Sequence, residues 1–120
     1  MNEKRKTRVI LSKDAEKTYL RLKERAKTSK KDRSVFNSIG RKVELIKQDP
    51  HYGNPIAKSL IPEEYRKKYG ISNLFRVELA GFWRMLYTLV GSEEKIEIIA
   101  FVLEISSHGE YDERFGYKGK

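Results

Sequence analysis

Residues 96–105, Ile-Glu-Ile-Ile-Ala-Phe-Val-Leu-Glu-Ile, are apolar at every position except Glu97 and Glu104. A ten-residue run of this kind is too short to cross a bilayer as a helix, which takes about 20 residues. It is rich in β-branched side chains and suits a strand. A half-buried strand alternates apolar and polar residues, whereas a run apolar on both parities belongs to a central strand covered on both faces. The rest of the chain must therefore supply strand neighbours and layers to cover them.

Residues 74–79 and 82–90 supply two further strands. Phe75, Val77 and Leu79 share one parity of the first, and Trp83, Met85, Tyr87 and Leu89 share one parity of the second. A two-residue loop at Ala80-Gly81 would pair Val77 with Arg84 and send the apolar sets to opposite faces. A three-residue loop, Ala80-Gly81-Phe82, pairs Leu79 with Trp83, Val77 with Met85 and Phe75 with Tyr87. Because one register step inverts every side chain, parity selects the longer loop, with Gly81 available for a left-handed position. Arg76, Glu78 and Arg84 then share the opposite face, with Glu78 across from Arg84 and Leu86 across from Arg76.

The N-terminal half reads differently. Residues 1–7 form a basic tail and residues 8–12 a short strand. Over residues 14–28, Ala15, Tyr19, Leu22 and Ala26 make one helical stripe, with Ser12 or Asp14 able to cap it. A second helix spans residues 33–48, with Val35, Phe36, Ile39, Val43 and Ile46 as its stripe, Asp32 as its cap and Asp49-Pro50 as its stop. His51-Tyr52-Gly53-Asn54-Pro55 is a turn signal. Residues 62–70 form a two-turn helix, opened by Pro62, acidic in its first turn, basic in its last and closed by Gly70. The sequence thus specifies a single α+β domain over residues 1–120. Its sheet is small and antiparallel-rich, with about four strands, and the N-terminal helical hairpin packs on one face.

Composition narrows the function. The formal charge is +9, and all of the excess lies in residues 1–50, which hold sixteen Lys/Arg against seven Asp/Glu; the remaining residues hold ten of each. Such a field attracts nucleic acid or an acidic protein, although a solvated lysine-rich face has the same composition. There is no cysteine, hence no disulfide and no thiolate metal site. No apolar run has the length of a membrane span, and the basic N-terminus has no apolar segment behind it as a signal peptide would. The expectation is a cytoplasmic protein without a membrane partner. Walker, dinucleotide-binding and nucleophile-elbow motifs are absent from the sequence. Its two histidines, His51 and His108, stand far apart and give little basis for a metal centre. No cofactor is expected.

The segment Ser106-Ser107-His108-Gly109-Glu110-Tyr111 follows the apolar strand directly, so titratable groups are carried to an edge of the sheet. His108 is the candidate acid or base, because imidazole titrates closest to neutrality. Arg76, mid-strand and without an opposite charge across from it, is a candidate anion contact, whereas Glu78 accounts for Arg84. Lys58, Arg66, Lys67 and Lys68 form a phosphate cradle or a solvated helix end. Tyr111 stacks on a base or seals the core. These groups suit RNA scission by the neighbouring 2′-hydroxyl, which needs a base, an acid and cations at phosphorus, but neither a metal nor a protein nucleophile.

Together, Gly53-Asn54-Pro55-Ile56, Leu74-Phe75-Arg76-Val77, Trp83-Arg84-Met85-Leu86-Tyr87, the apolar last strand and Ser107-His108-Gly109-Glu110-Tyr111 resemble, in order and spacing, the RelE/ParE superfamily of toxins from type II toxin–antitoxin pairs. The terminal Ser-His-x-x-Tyr is most similar to the YafQ-like branch. The resemblance runs from Arg8 to about Tyr117. It implies a ribosome-dependent mRNA endoribonuclease, or mRNA interferase, that inhibits translation and is neutralised by a cognate antitoxin. Carried over by position, Arg76 stabilises the phosphate, His108 is the acid or base, and Tyr111 orients the substrate. Lys58, Arg66, Lys67, Lys68 and Arg84 are the expected RNA contacts. Two other readings stand beside it: a ParE-like toxin that inhibits a topoisomerase, and a non-catalytic basic module that binds RNA or protein.

Overall fold

The computed structural model describes residues 6–91 and 97–107. Five strands form one mixed sheet in the order β1-β5-β4-β3-β2. In chain order these are β1 (Lys6–Leu11), β2 (Asn54–Pro55), β3 (Phe75–Glu78), β4 (Arg84–Gly91) and β5 (Glu97–Ser106). The β1–β5 pair is parallel and the other three are antiparallel. The expected four strands are thus five, because Asn54 and Pro55 bridge to Arg76 and Phe75. Proline tolerates this place because the edge of a sheet needs no second ladder donor. The apolar run takes an interior position between β1 and β4, as its composition requires.

The β3–β4 hairpin has the three-residue loop selected by parity. Phe75 faces Tyr87, Val77 faces Met85, and Glu78 faces Arg84, while the Leu79 N–H donates to the Trp83 carbonyl at 2.8 Å. The sequence indicated one left-handed residue in this loop and the structure has two, Gly81 and Phe82, each at φ 65°.

Helices α1 (Lys13–Arg25) and α2 (Lys30–Gln48) lie against β1 and β5. Their apolar stripes meet the sheet in a core of Ala15, Leu22, Val35, Ile39, Ile46, Val77, Met85, Tyr87, Val102 and Ile105. The first cap is Ser12, whose Oγ accepts from the Ala15 N–H at 3.0 Å. The second helix begins at Lys30, three residues before the expected start at Arg33, and Ser29 rather than Asp32 caps it, accepting from the Asp32 N–H at 3.1 Å. Serine is an equally good cap, and the polar first turn Lys30-Lys31-Asp32 gave no periodic signal to count.

The other face is covered as well. A 3₁₀ turn (Lys58–Leu60) and helix α3 (Glu63–Tyr69) bring Ile61 and Tyr65 onto Leu74, Leu86 and Leu103. Helix α3 ends at Gly70, left-handed at φ 63°, as glycine at this position allows. A β-bulge lets β5 serve both layers. Leu86 faces Glu104 and Tyr87 faces Val102, so Leu103 is an extra residue. A bulge turns two successive side chains toward one face. Leu103 thus enters the α3 layer beside Glu104, and Val102 and Ile105 stay in the helix-pair core.

Ser12 fastens this bulge to α1. Besides capping the helix, its hydroxyl donates to the Leu103 carbonyl at 2.9 Å, and its N–H donates to the Val102 carbonyl at 2.8 Å. Ser12→Ala removes the cap and orphans a buried carbonyl, so a loss of about 1–3 kcal/mol is expected in urea unfolding. A loss below about 0.3 kcal/mol would show that the hydroxyl is dispensable.

Candidate functional site

Register places the sequence-predicted basic residues on the α3 side of the sheet. Side chains directly opposite on paired strands share a face, and two rows result. One runs Asn54, Arg76, Leu86, Glu104 across β2, β3, β4 and β5; the next runs Glu78, Arg84, Ser106 across β3, β4 and β5. Arg76 and Arg84 are therefore diagonal neighbours on adjacent strands, with Cα atoms roughly 7–8 Å apart in such a pairing.

Arg76 is half-buried. The Arg84 side chain is 12% exposed; its Nε lies 3.7 Å from the Glu78 carboxylate, as the register predicted, and its Nη1 donates to the Phe82 carbonyl at 3.0 Å. A carboxylate across the strand offsets much of the cost of covering this guanidinium. β5 ends at Ser106, directly opposite Arg84. His108 and Tyr111, the other two predicted catalytic residues, lie outside the described residues.

The lysine-rich element is less of a cradle than the sequence suggested. Arg66 reaches back to the carbonyls of Lys58 and Ile61, bracing α3 against the 3₁₀ turn. Lys67 stands 4.0 Å from Glu63, one turn earlier on the same helix. Lys68 reaches across to α1 and donates to Asp14 at 3.1 Å, and its ammonium also lies 5.4 Å from the centre of the Tyr69 ring. The hydrogen bond to Asp14 and the field of Tyr69 raise the Lys68 pKa above its ordinary value. Lys58 and Lys67 remain exposed.

The loop Gly53-Asn54-Pro55 has a structural reason for its glycine. A Cβ at Gly53 would stand 3.0 Å from the Tyr87 ring and 3.1 Å from both the Arg76 carbonyl and the Phe75 Cβ. The Gly53 N–H donates to the Tyr87 hydroxyl at 2.9 Å, and that hydroxyl donates to the Pro50 carbonyl at 2.7 Å. One buried tyrosine thus holds the loop that leads into β2, the strand beside Arg76.

Tertiary structure also creates a cleft that the sequence did not announce. β1 pairs with β5 only as far as Leu11 opposite Val102, while β5 continues to Ser106. Helices α1 and α3 flank the remaining stretch and leave an open cleft of about 570 Å³. Its walls include Asp14 and Arg21 from α1, Lys68 from α3, and Glu104 and Ser106 from β5. Tyr65, also in the wall, donates its hydroxyl to Glu104. Of the predicted site residues that lie among the described ones, only Lys68 lines it. The Ser106 hydroxyl is buried and has no hydrogen-bond partner among the described residues. No sequence motif marks this cleft, because its residues come from three separated segments.

No helix among the described residues is long and apolar enough to cross a membrane. Among those residues there is also no group of three or more His, Asp or Glu side chains placed to hold a metal ion. The chain has an α+β fold, with two N-terminal helices packed on a mixed, mostly antiparallel five-stranded sheet; comparison with protein-family models, with curated proteins and with solved structures returns no match.

Proposed function

We propose that the chain is a RelE/ParE-like toxin that cuts mRNA on the ribosome, in the cytoplasm, and is held in check by a cognate antitoxin. The observation that carries this reading is the pair of diagonal arginines on one sheet face, Arg76 and Arg84, at the end of the strand that leads into the Ser107-His108 sequence. Scission by the 2′-hydroxyl builds a second negative charge on the phosphorane, and a guanidinium fork beside it stabilises that charge more than it stabilises the ground state. Arg76, half-buried on that face, is the phosphate ligand in this reading. Arg84, held by Glu78, adds to the positive potential. His108 moves the proton at the 2′-oxygen or the leaving 5′-oxygen, and Tyr111 orients the substrate. Lys58, Lys67 and the lysine-rich helical hairpin contribute the long-range field that draws in RNA.

The test is an in vitro translation reaction on a defined mRNA, with and without ribosomes, in which primer extension maps new 5′ ends. Cuts that need the ribosome and fall at least 100-fold in His108→Ala are the expected result, since a general acid or base contributes about 10²–10⁴ in rate. Intact message together with arrested DNA supercoiling would replace this reading with topoisomerase inhibition. Intact message with neither effect would leave a non-catalytic binding module.

A further inference from the structure

Successive residues of β5, from Leu103 to Ser106, all line the cleft between α1 and α3. Successive side chains of a strand point to opposite faces. Ile105 belongs to the core under the helix pair, and Leu103 to the layer under α3. A cleft that meets both faces of one strand runs along its edge, where the main chain lies. The ladder explains why that edge is open. β1 leaves β5 at Leu11, opposite Val102, because Ser12 turns away to cap α1. The Ser12 N–H and hydroxyl donate to the Val102 and Leu103 carbonyls as the last rungs. Beyond them no described strand pairs with β5 on that side.

The walls indicate what fits. They carry both signs, Arg21 and Lys68 against Asp14, Glu64 and Glu104, so they favour no small ion of either charge. A polypeptide main chain is neutral and brings N–H and C=O groups at the spacing of the strand itself. An added strand also sends its side chains alternately to the two walls. The α1 wall presents Asp14, Thr18 and Arg21 from one helix face. Asp14 is bound to Lys68, whereas Arg21 has no ion pair among the described residues. The Lys68–Asp14 pair joins the two walls, and both its side chains are more than half exposed, so it yields at little cost. The α3 wall presents Tyr65 and Tyr69. Acidic side chains toward α1 and apolar ones toward α3 therefore match the cleft. Ser106 adds a buried hydroxyl without a hydrogen-bond partner among the described residues, a state that buried polar groups seldom keep.

We propose that this edge binds an extended segment of a partner protein, which adds to the sheet as a strand in line with β1. The contact covers the Leu103-to-Ser106 edge, roughly 13 Å at about 3.3 Å per residue. The site stands whether or not the chain cuts RNA. The probe is a fluorescein-labelled peptide of alternating valine and glutamate, about eight residues long to span this edge with both ends free, titrated by anisotropy against the full chain. Its twin is N-methylated at every residue, which keeps the charge and removes the main-chain donors.

The plain peptide is expected to bind, and its N-methylated twin to bind roughly 5- to 150-fold more weakly, the value of two hydrogen bonds. Thr18→Trp fills the cleft from the α1 wall and should weaken the plain peptide at least about 10-fold. Its melting temperature should stay within about 4 °C of the parent's, which excludes unfolding as the cause. Arg21→Glu should weaken the peptide about 2- to 10-fold, and less so at high salt. Equal binding of the two peptides would show that charge alone attracts them, and overturns the inference. Undiminished binding to Thr18→Trp places the peptide on another edge, such as the outer side of β1, and overturns it too. So does absence of binding of the plain peptide to the parent.

Discussion

Arg76→Ala is expected to slow ribosome-dependent cleavage by about 10²- to 10³-fold, the usual consequence of removing one donor from a developing oxyanion. The fold should survive. Arg76 is half-buried and belongs to neither apolar core cluster, so its truncation opens no cavity in the core. Arg76→Lys separates charge from geometry: an ammonium keeps the point charge but not the planar two-pronged donor, so partial recovery of about 10-fold over alanine is expected. Arg84→Ala should behave differently. It uncovers Glu78 on the same face and removes the brace on the Phe82 carbonyl, so activity and stability fall together. Cleavage rates under single-turnover conditions, read beside urea melts, distinguish these cases. Full activity in a folded Arg76→Ala protein would remove this residue from the chemistry.

The second large effect concerns stability. Tyr87 is fully buried, stacks on Phe75 with ring centres 5.2 Å apart, accepts from the Gly53 N–H and donates to the Pro50 carbonyl. Tyr87→Ala should cost ~3–5 kcal/mol, through the cavity beneath the helix pair and the loss of its ring contacts. Tyr87→Phe keeps the packing but strands a buried N–H and a carbonyl, and should cost about 1–3 kcal/mol. Burial also raises the phenol pKa above its ordinary value, with Asp49 and Tyr52 adding to the rise and the Gly53 hydrogen bond opposing it.

The sign of the pH effect follows from that shift. The folded state holds the phenolic proton more tightly than the unfolded chain, so this contribution is complete below the unfolded pKa of about 10 and is lost as pH rises through the folded value. Alkaline unfolding should therefore set in later in Tyr87→Phe, relative to its own stability at neutral pH, than in the parent. Urea midpoints between pH 7 and 11 measure this, and parallel pH profiles for the two proteins would show that Tyr87 does not titrate with unfolding. The same substitution loosens the loop into β2, which pairs with Arg76, so a fall in activity beyond the loss of folded protein is expected as well.

Local pattern alone determined much of this protein. The parity of Phe75, Val77, Trp83, Met85 and Tyr87 fixed the β3–β4 register and with it the Glu78–Arg84 pair, because a one-residue slip would have turned the whole apolar set to the wrong face. The helical stripes placed α1 and α2, and the Pro62-to-Gly70 punctuation placed α3. The apolar run, interrupted only by Glu97 and Glu104, required a layer on each side of β5, and the helix pair and α3 supply them.

What only the tertiary structure decided depends on long-range pairing that no local period encodes. β2 is two residues long and exists because Gly53 lets the chain lie against Tyr87, 34 residues later. The parallel β1–β5 ladder and the bulge at Leu103 arise from contacts across 91 positions, fastened by Ser12. The cleft exists because β1 stops at Leu11 while β5 continues. The lysine-rich helix could be a cradle or a solvated end in sequence; in the fold Arg66 and Lys68 are drawn in different directions, Arg66 to backbone carbonyls and Lys68 to Asp14. Sequence spacing gives a charge its address along the chain, and its partner is set by what the fold brings within about 4 Å.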